Sequence, residues 1–278
     1  ISVPFSTTDE SSNQYPDKET QYQAILRLLN RYDIEHSLSQ EASTVVGEID
    51  KENEKFRKHS EIALNVRNGE FKEELFSKFK KNIDSEFIKP LYPKQLLSSY
   101  HLAFSQNACN FSVPGAGKTR IVYGAYSYLK SLDHNDDKHV DRLVVISPSA
   151  AFTPWEDEFK NCFDKKLKSI RLAGRKQLDR QNVLYSGDYY ELLLTSYHSS
   201  SNQSDIDNLI HYLTKHKVML VLDEAHKIKN LTGVWASAVL QLSRYAASRV
   251  ILTGTPAPYG YQDLYNLYKF IWPTQSII

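Results

Sequence analysis

The feature that most constrains this chain is a glycine-rich stretch, Val113-Pro114-Gly115-Ala116-Gly117-Lys118-Thr119, set between an apolar run at Ala108–Val113 and a helical pattern over Thr119–Leu132. Strand, tight loop and helix in that order build a phosphate cradle. The loop's backbone N–H groups wrap an anion, and the following helix directs its positive end at it. Gly115 and Gly117 let the backbone approach closely, Lys118 is placed to reach the β- and γ-phosphates, and the Thr119 hydroxyl to bind Mg²⁺. Pro114 and Ala116 complete the loop, and Arg120 follows it; all are expected to bind ATP. The general pattern places a Gly five residues before Gly117, where this chain has Ser112, also a small residue.

A cradle of this kind needs a parallel sheet behind it, and the rest of the chain supplies the strands. Arg142–Ser147, Ser169–Leu172, Glu191–Ser196, Val218–Asp223 and Arg249–Thr253 are β-branched and almost continuously apolar, as strands buried on both faces should be. Helical stretches at Phe152–Phe163, Asp205–His216 and Gly233–Tyr245 fall between them. The alternation predicts an α/β fold, a doubly wound parallel sheet with helices on both faces.

Val218–Asp223 ends in a second chemical signal, Asp223-Glu224-Ala225-His226. Ligands of open α/β sheets sit outside the carboxyl ends of the strands. Asp223 would hold Mg²⁺ through water, and Glu224 would orient and deprotonate the attacking water. With Lys118, these two acids are the candidate catalytic residues. A given tetrapeptide arises by chance about once in 10⁵ positions at average residue usage, so its place at a strand end behind a phosphate loop is no coincidence. A third signal, Leu252-Thr253-Gly254-Thr255-Pro256, follows another apolar strand. Alone it is an ordinary turn. Behind the other two, Thr253, Gly254 and Thr255, with His226, are expected to sense the γ-phosphate and couple that state to a neighbouring lobe.

Residues before Pro90 have a different texture. Residues 1–17 are polar and read as a flexible arm. Ala24, Ile25, Leu28 and Leu29 form one apolar stripe; Leu38, Ala42, Val45, Ile49, Phe56, Ala63 and Val66 form a longer one; Phe71, Leu75, Phe76, Phe79 and Ile83 form a third. The expected organisation is a helical N-terminal accessory module over 1–88 and an ATP-binding lobe over 89–278. The bland role of the module is packing on its neighbour; the sharper one is regulation or binding of a protein partner.

Composition narrows the setting. With two cysteines, Cys109 and Cys162, a secreted disulfide scaffold is excluded and a reducing, intracellular setting expected. Cys109, inside an apolar run, reads as a buried strand thiol. No apolar run approaches the roughly 18–20 residues a membrane span needs, so no membrane partner is expected. The nine histidines show no Cys/His spacing that suggests a metal. The formal net charge of +1 announces no nucleic acid, though an acidic first part and a basic second part allow a basic face on the latter. An initial Ile and the lack of a basic-then-apolar leader suggest an excised fragment.

The order of these motifs resembles superfamily-2 helicases and, within them, the Swi/Snf-type double-stranded DNA translocases. Asp223-Glu224-Ala225-His226-Lys227-Ile228-Lys229-Asn230 is close to that group's extended signature. Ser147-Pro148-Ser149 with Trp155 and Glu158-Phe159 resembles its motif Ia, a proline-containing strand end followed by a tryptophan helix, Leu194-Thr195-Ser196-Tyr197 the strand-end motif after that, and Leu91-Tyr92-Pro93-Lys94-Gln95 the entry motif in which Gln95 would read the adenine. Leu264-Tyr265-Asn266-Leu267-Tyr268-Lys269-Phe270 with Pro273 resembles the helix after the third signal. The resemblance covers roughly 91–273. It implies a RecA-like fold, ATP and Mg²⁺ as cofactors, duplex DNA as partner, and a second lobe carrying an arginine finger that does not occur before Ile278. Candidate nucleic-acid contacts, implied by position at the sheet's carboxyl edge, are Ser147, Pro148, Ser149, Trp155, Thr195, Ser196, Lys227, Lys229 and Asn230.

After Thr255-Pro256 the family often continues Leu-Gln-Asn, whereas this chain has Ala257-Pro258-Tyr259, which favours a distant, bacterial cytoplasmic branch over a nuclear eukaryotic one. Two other functions stay open on the sequence: a strand-separating DNA or RNA helicase of restriction or defence type, and a nucleotide-gated protein-interaction module.

Overall fold

The computed structural model describes residues 18–230 and 232–273. The arm expected over 1–17 lies outside the described residues. The chain divides into two compact units, with the boundary between Lys55 and Phe56.

The first unit contains α1 (Lys18–Arg31) and the beginning of α2 (Gln40–Arg67). α1 stops where Asp33 turns left-handed, at φ 48°, a conformation that short polar side chains tolerate. α2 starts at Ser39, whose hydroxyl accepts the Ala42 N–H at 3.2 Å.

The second unit is an α/β domain. Among the described residues six strands form one sheet in the order β1 (Asn107–Asn110), β6 (Ser248–Leu252), β5 (Val218–Asp223), β2 (Arg142–Ile146), β4 (Leu192–Thr195) and β3 (Ser169–Arg171). Every pairing is parallel. Alternate residues of the same strands feed two separate cores. Leu143, Val145, Met219, Val221, Val250 and Leu252 face α3 (Glu73–Glu86), α4 (Pro93–Ser105), α5 (Lys118–Ser131) and α6 (Phe152–Cys162). Val144, Ile146, Leu220, Leu222 and Ile251 face α7 (Gln177–Tyr185), α8 (Gln203–Lys215), α9 (Val234–Ser243) and α10 (Leu264–Ile271). This is the doubly wound sheet that the apolar runs predict: a strand covered on both sides has no polar face to show.

Two details depart from the expectation. β1 ends at Asn110 rather than Val113. The Asn110 side chain accepts hydrogen bonds from the Ser112 N–H at 3.0 Å and from the Ser112 hydroxyl, a local turn that lifts the chain off the sheet and leaves Phe111 and Val113 exposed. α7 falls between two strands where no helix is expected. It buries little besides Leu184, and Arg180 docks it through a forked ion pair with the buried Asp205 of α8, at 2.8 and 2.5 Å.

The texture of the sequence places the domain boundary at residue 88, but the compact α/β unit begins at Phe56. The reason is the third apolar stripe. Phe79 and Ile83 of α3 are fully buried, and the Phe79 ring meets Tyr100 of α4 at 5.4 Å and Tyr128 of α5 at 5.1 Å. Each such ring pair adds about 0.5–1.5 kcal/mol to the burial itself. α3 thus forms part of the layer that supports the phosphate-loop helix.

Candidate nucleotide and nucleic-acid site

The carboxyl ends of β1, β6 and β5 bring the three signals together. Asn110, Leu252 and Asp223 occupy one row across these strands. At about 4.8 Å between neighbouring strands, the start of the phosphate loop and Asp223 are about 10 Å apart. Gly115 and Gly117 are both left-handed, at φ 81° and 80°, and Gly117 caps α5. Its φ favours glycine, and a Cβ there would lie 2.5 Å from Nε2 of Gln95 and displace that amide from the loop.

Gln95 is joined to the loop. Its Nε2 donates to the Ala116 carbonyl at 3.1 Å, and its Oε1 accepts from the Tyr92 N–H at 3.2 Å. The Lys118 ammonium donates to the carbonyls of Ser112 at 3.0 Å and Val113 at 3.3 Å. Pro114 borders Gly254, where an added Cβ would come within 3.0 Å of the proline ring. The third signal therefore packs on the phosphate loop. Arg120 departs from the ATP-binding set. Its guanidinium donates to the Lys89 carbonyl at 2.6 Å and lies 3.6 Å from Glu158, so it anchors the segment before α4 and does not face the loop.

Asp223 sits in a built environment. Its Oδ2 accepts the indole N–H of Trp155 at 3.0 Å, its Oδ1 accepts the Glu224 N–H at 3.0 Å, and its carbonyl accepts the Tyr197 hydroxyl at 2.9 Å. Burial pushes its carboxyl above the ordinary aspartate range and the neighbouring Glu224 adds to this, while the Trp155 N–H and the Lys118 ammonium oppose it. A carboxylate held at a cost among donors is a common mark of a functional group. Because the folded-state value is raised, the native protein binds this proton more tightly than the unfolded chain. Stability is therefore lost as pH rises through the interval between the two values. Asp223→Asn should then melt at a higher temperature than the parent at neutral pH, with the gap closing below about pH 4, where the unfolded carboxyl is protonated too. Calorimetric melts across that range test this; a lower melting temperature at neutral pH would contradict it.

Glu224 is left-handed, at φ 52° and ψ 48°, a conformation that costs a residue with a Cβ roughly 1–2 kcal/mol. Such strain persists where surroundings enforce it and often marks a working residue. Its Oε2 lies 3.3 Å from Nδ1 of His226, which lies 3.3 Å from the hydroxyl of Thr253. Thr253 is fully buried and its hydroxyl accepts the Thr255 N–H at 3.1 Å. A continuous polar path thus runs from Glu224 through His226 to the third signal.

The expected nucleic-acid contacts separate into two groups. Ser149, Lys227 and Asn230 are exposed, and Pro148, Ser196 and Lys229 are half-buried. Ser147, Trp155 and Thr195 are buried to 1% exposure or less, so their side chains offer nothing to a nucleic-acid strand. Trp155 instead packs on Tyr123 at 5.5 Å and supplies the hydrogen bond to Asp223. Nothing local in the sequence joins these two residues, which are 68 positions apart. Tyr197, whose hydroxyl donates to the Asp223 carbonyl, likewise enters the site's frame only through the fold. Cys109 is part of β1 but half-buried rather than enclosed.

Comparison with known proteins agrees with this architecture. The family model described as SNF2-related domain matches residues 38–276, a span that includes α2 and α3. Helicase SWR1 of Candida glabrata is 29% identical over 166 residues, 59% of this chain and 11% of that protein. The TATA-binding protein-associated factor MOT1 of Saccharomyces cerevisiae is 30% identical over 168 residues, 57% of this chain and 8% of that protein. The solved Sulfolobus solfataricus SWI2/SNF2 ATPase core in complex with dsDNA superposes with a TM-score of 0.52 at 23% identity, covering 66% of this chain and 36% of that one. The chain spans only 8 to 11% of the length of the Helicase SWR1 relatives it matches. Among the described residues no helix is long and apolar enough to cross a membrane.

Proposed function

Because the chain belongs to the SNF2-related domain family, we propose that it is the first of two RecA-like lobes of an ATP-dependent translocase on double-stranded DNA. The observation that carries this reading is the convergence of Lys118, Asp223, Glu224 and the His226–Thr253 pair at three adjacent strand ends. The phosphate loop binds the triphosphate, and Gln95, held against Ala116, borders the adenine. Thr119 and Asp223 are hard oxygen donors of the kind Mg²⁺ takes, and the carboxyl of Asp223, raised by burial, fits a nearby cation. When bound, Mg²⁺ would neutralise charge building up on the phosphates.

Glu224 positions and deprotonates the attacking water. His226 reports occupancy to Thr253, and Gly254 carries that report against Pro114. Ser149, Lys227, Lys229 and Asn230 hold backbone phosphates without reading bases, which suits a motor that must be indifferent to sequence. The helical segment ahead of the α/β unit serves as the accessory segment and as the surface for a protein partner. Use of ATP and the free thiols of Cys109 and Cys162 support a reducing setting inside the cell.

The test uses both the complete protein and this chain. The complete protein should hydrolyse ATP faster with duplex DNA and displace a bound obstacle without separating strands. This chain alone should turn over slowly, since an arginine from the second lobe contributes on the order of 10³-fold or more in such sites. Turnover indifferent to nucleic acid would remove the translocase reading; efficient strand separation would replace it with a helicase; fast turnover by this chain alone would remove the need for a second lobe.

A further inference from the structure

The loop between α5 and β2 holds a second cluster at the opposite end of the strands from the nucleotide site. We propose that His134, His139 and Asp141 form a binding site for a divalent transition-metal ion. One nitrogen of each histidine and one oxygen of Asp141 lie within 4.8 Å of one another. Oδ1 of Asp141 is 2.9 Å from Nε2 of His139 and 3.5 Å from Nδ1 of His134. Tetrahedral zinc with Zn–N bonds of about 2.0–2.1 Å needs ligand atoms about 3.3 Å apart. Two of the three separations are already close to that, and His134, on the exposed end of the loop, has the freedom to close the third.

The supporting shell of a metal site is also present. Nδ1 of His139 lies 2.9 Å from the Leu132 carbonyl, which can only accept, so this nitrogen carries the proton. In the neutral ring the Nε2 lone pair then faces the Asp141 carboxylate, two acceptors directed at each other at hydrogen-bond distance. Either a second proton on the ring or a cation between them resolves that contact. A backbone carbonyl holding the far nitrogen of a histidine is the usual way a metal-binding ring is oriented. The other oxygen of Asp141 is held in the same manner by the Lys217 N–H at 3.2 Å. The side-chain ammonium of Lys217 ties down the loop itself, donating to the carbonyls of His134 and Asp136 at 2.7 and 3.1 Å.

Imidazole nitrogens select zinc and its first-row neighbours over magnesium, so the site is chemically distinct from that at Asp223. α5 has 14 residues, so the cluster lies about 20 Å along that helix from the phosphate loop. The bound ion would act as a clasp on the far end of the phosphate-loop helix, without a part in catalysis.

The test is calorimetric titration of Zn²⁺ into the metal-stripped chain with excess Mg²⁺ present. One equivalent should bind, and His134→Ala and Asp141→Asn should each weaken it by about tenfold or more. Co²⁺ in place of Zn²⁺ should give visible bands that are lost in both variants. His134 is exposed, so His134→Ala should leave the metal-free melting temperature and nucleotide binding unchanged. Failure of the parent chain to bind, or binding that both variants retain, would overturn the proposal and leave His139–Asp141 as a simple ion pair.

Discussion

Lys118→Ala should weaken nucleotide binding by about 10²-fold while leaving the fold intact. The ammonium of Lys118 bonds to the carbonyls of Ser112 and Val113, and this contact shapes the loop from inside. A bound triphosphate would add phosphate oxygens to the same ammonium. Charge-assisted hydrogen bonds in a half-buried site contribute about 1.5–3 kcal/mol each. Loss of about 3 kcal/mol weakens binding by about 10²-fold. The Lys118 ammonium bonds to two loop carbonyls at the start of α5, outside the hydrophobic packing, so the melting temperature should move little. Titration of a fluorescent ATP analogue, with calorimetry as the control on folding, measures both. Undiminished binding in a folded variant would remove the phosphate loop from the site.

Glu224→Gln should separate binding from turnover. The amide keeps the size of the side chain and a nitrogen or oxygen near His226, so nucleotide and Mg²⁺ should bind with the parent's affinity. A neutral amide cannot accept the proton of water, and loss of a positioned base costs about 10²–10⁴-fold. In the complete protein, the variant should therefore load ATP normally and fail to release phosphate. Single-turnover phosphate release against nucleotide binding gives both quantities. The left-handed backbone at 224 is unchanged by the substitution, so a large fall in stability is not expected. Turnover within a few fold of the parent would show that another group activates the water, and the half-buried His226 would be the next candidate.

The two halves of the nucleotide site were legible because they are local. A strand, a tight glycine loop and a helix follow one another in the chain, so the backbone of Gly115 and Gly117 is specified within a few residues. The same holds for Val218–Asp223 and Arg249–Thr253, whose two-sided burial leaves an unbroken apolar run. α7 was not legible because it is held by the Arg180–Asp205 ion pair, a Tyr185–His211 ring stack and the single buried Leu184, not by an apolar stripe. The shortened β1 depended on a side-chain turn at Asn110 that competes with the ladder. Arg120 reads as part of the phosphate loop by adjacency, but a helix turns about 100° per residue, and that rotation directs it at Lys89 and Glu158.

The phosphate loop determined from sequence alone that this chain folds as strand, loop and helix on a parallel sheet. It also named the residues proposed to hold a triphosphate. Tertiary structure decided how that loop is supported. It placed Gln95 on Gly117, Pro114 on Gly254, and the Trp155 indole on Asp223. It moved Trp155, Ser147 and Thr195 from the surface to the interior, and it drew α3 into the core beneath α5. The physical reason is range. Backbone conformation and apolar periodicity are set by neighbours along the chain. Hydrogen bonds across 68 positions exist only after the sheet has brought its strand ends together.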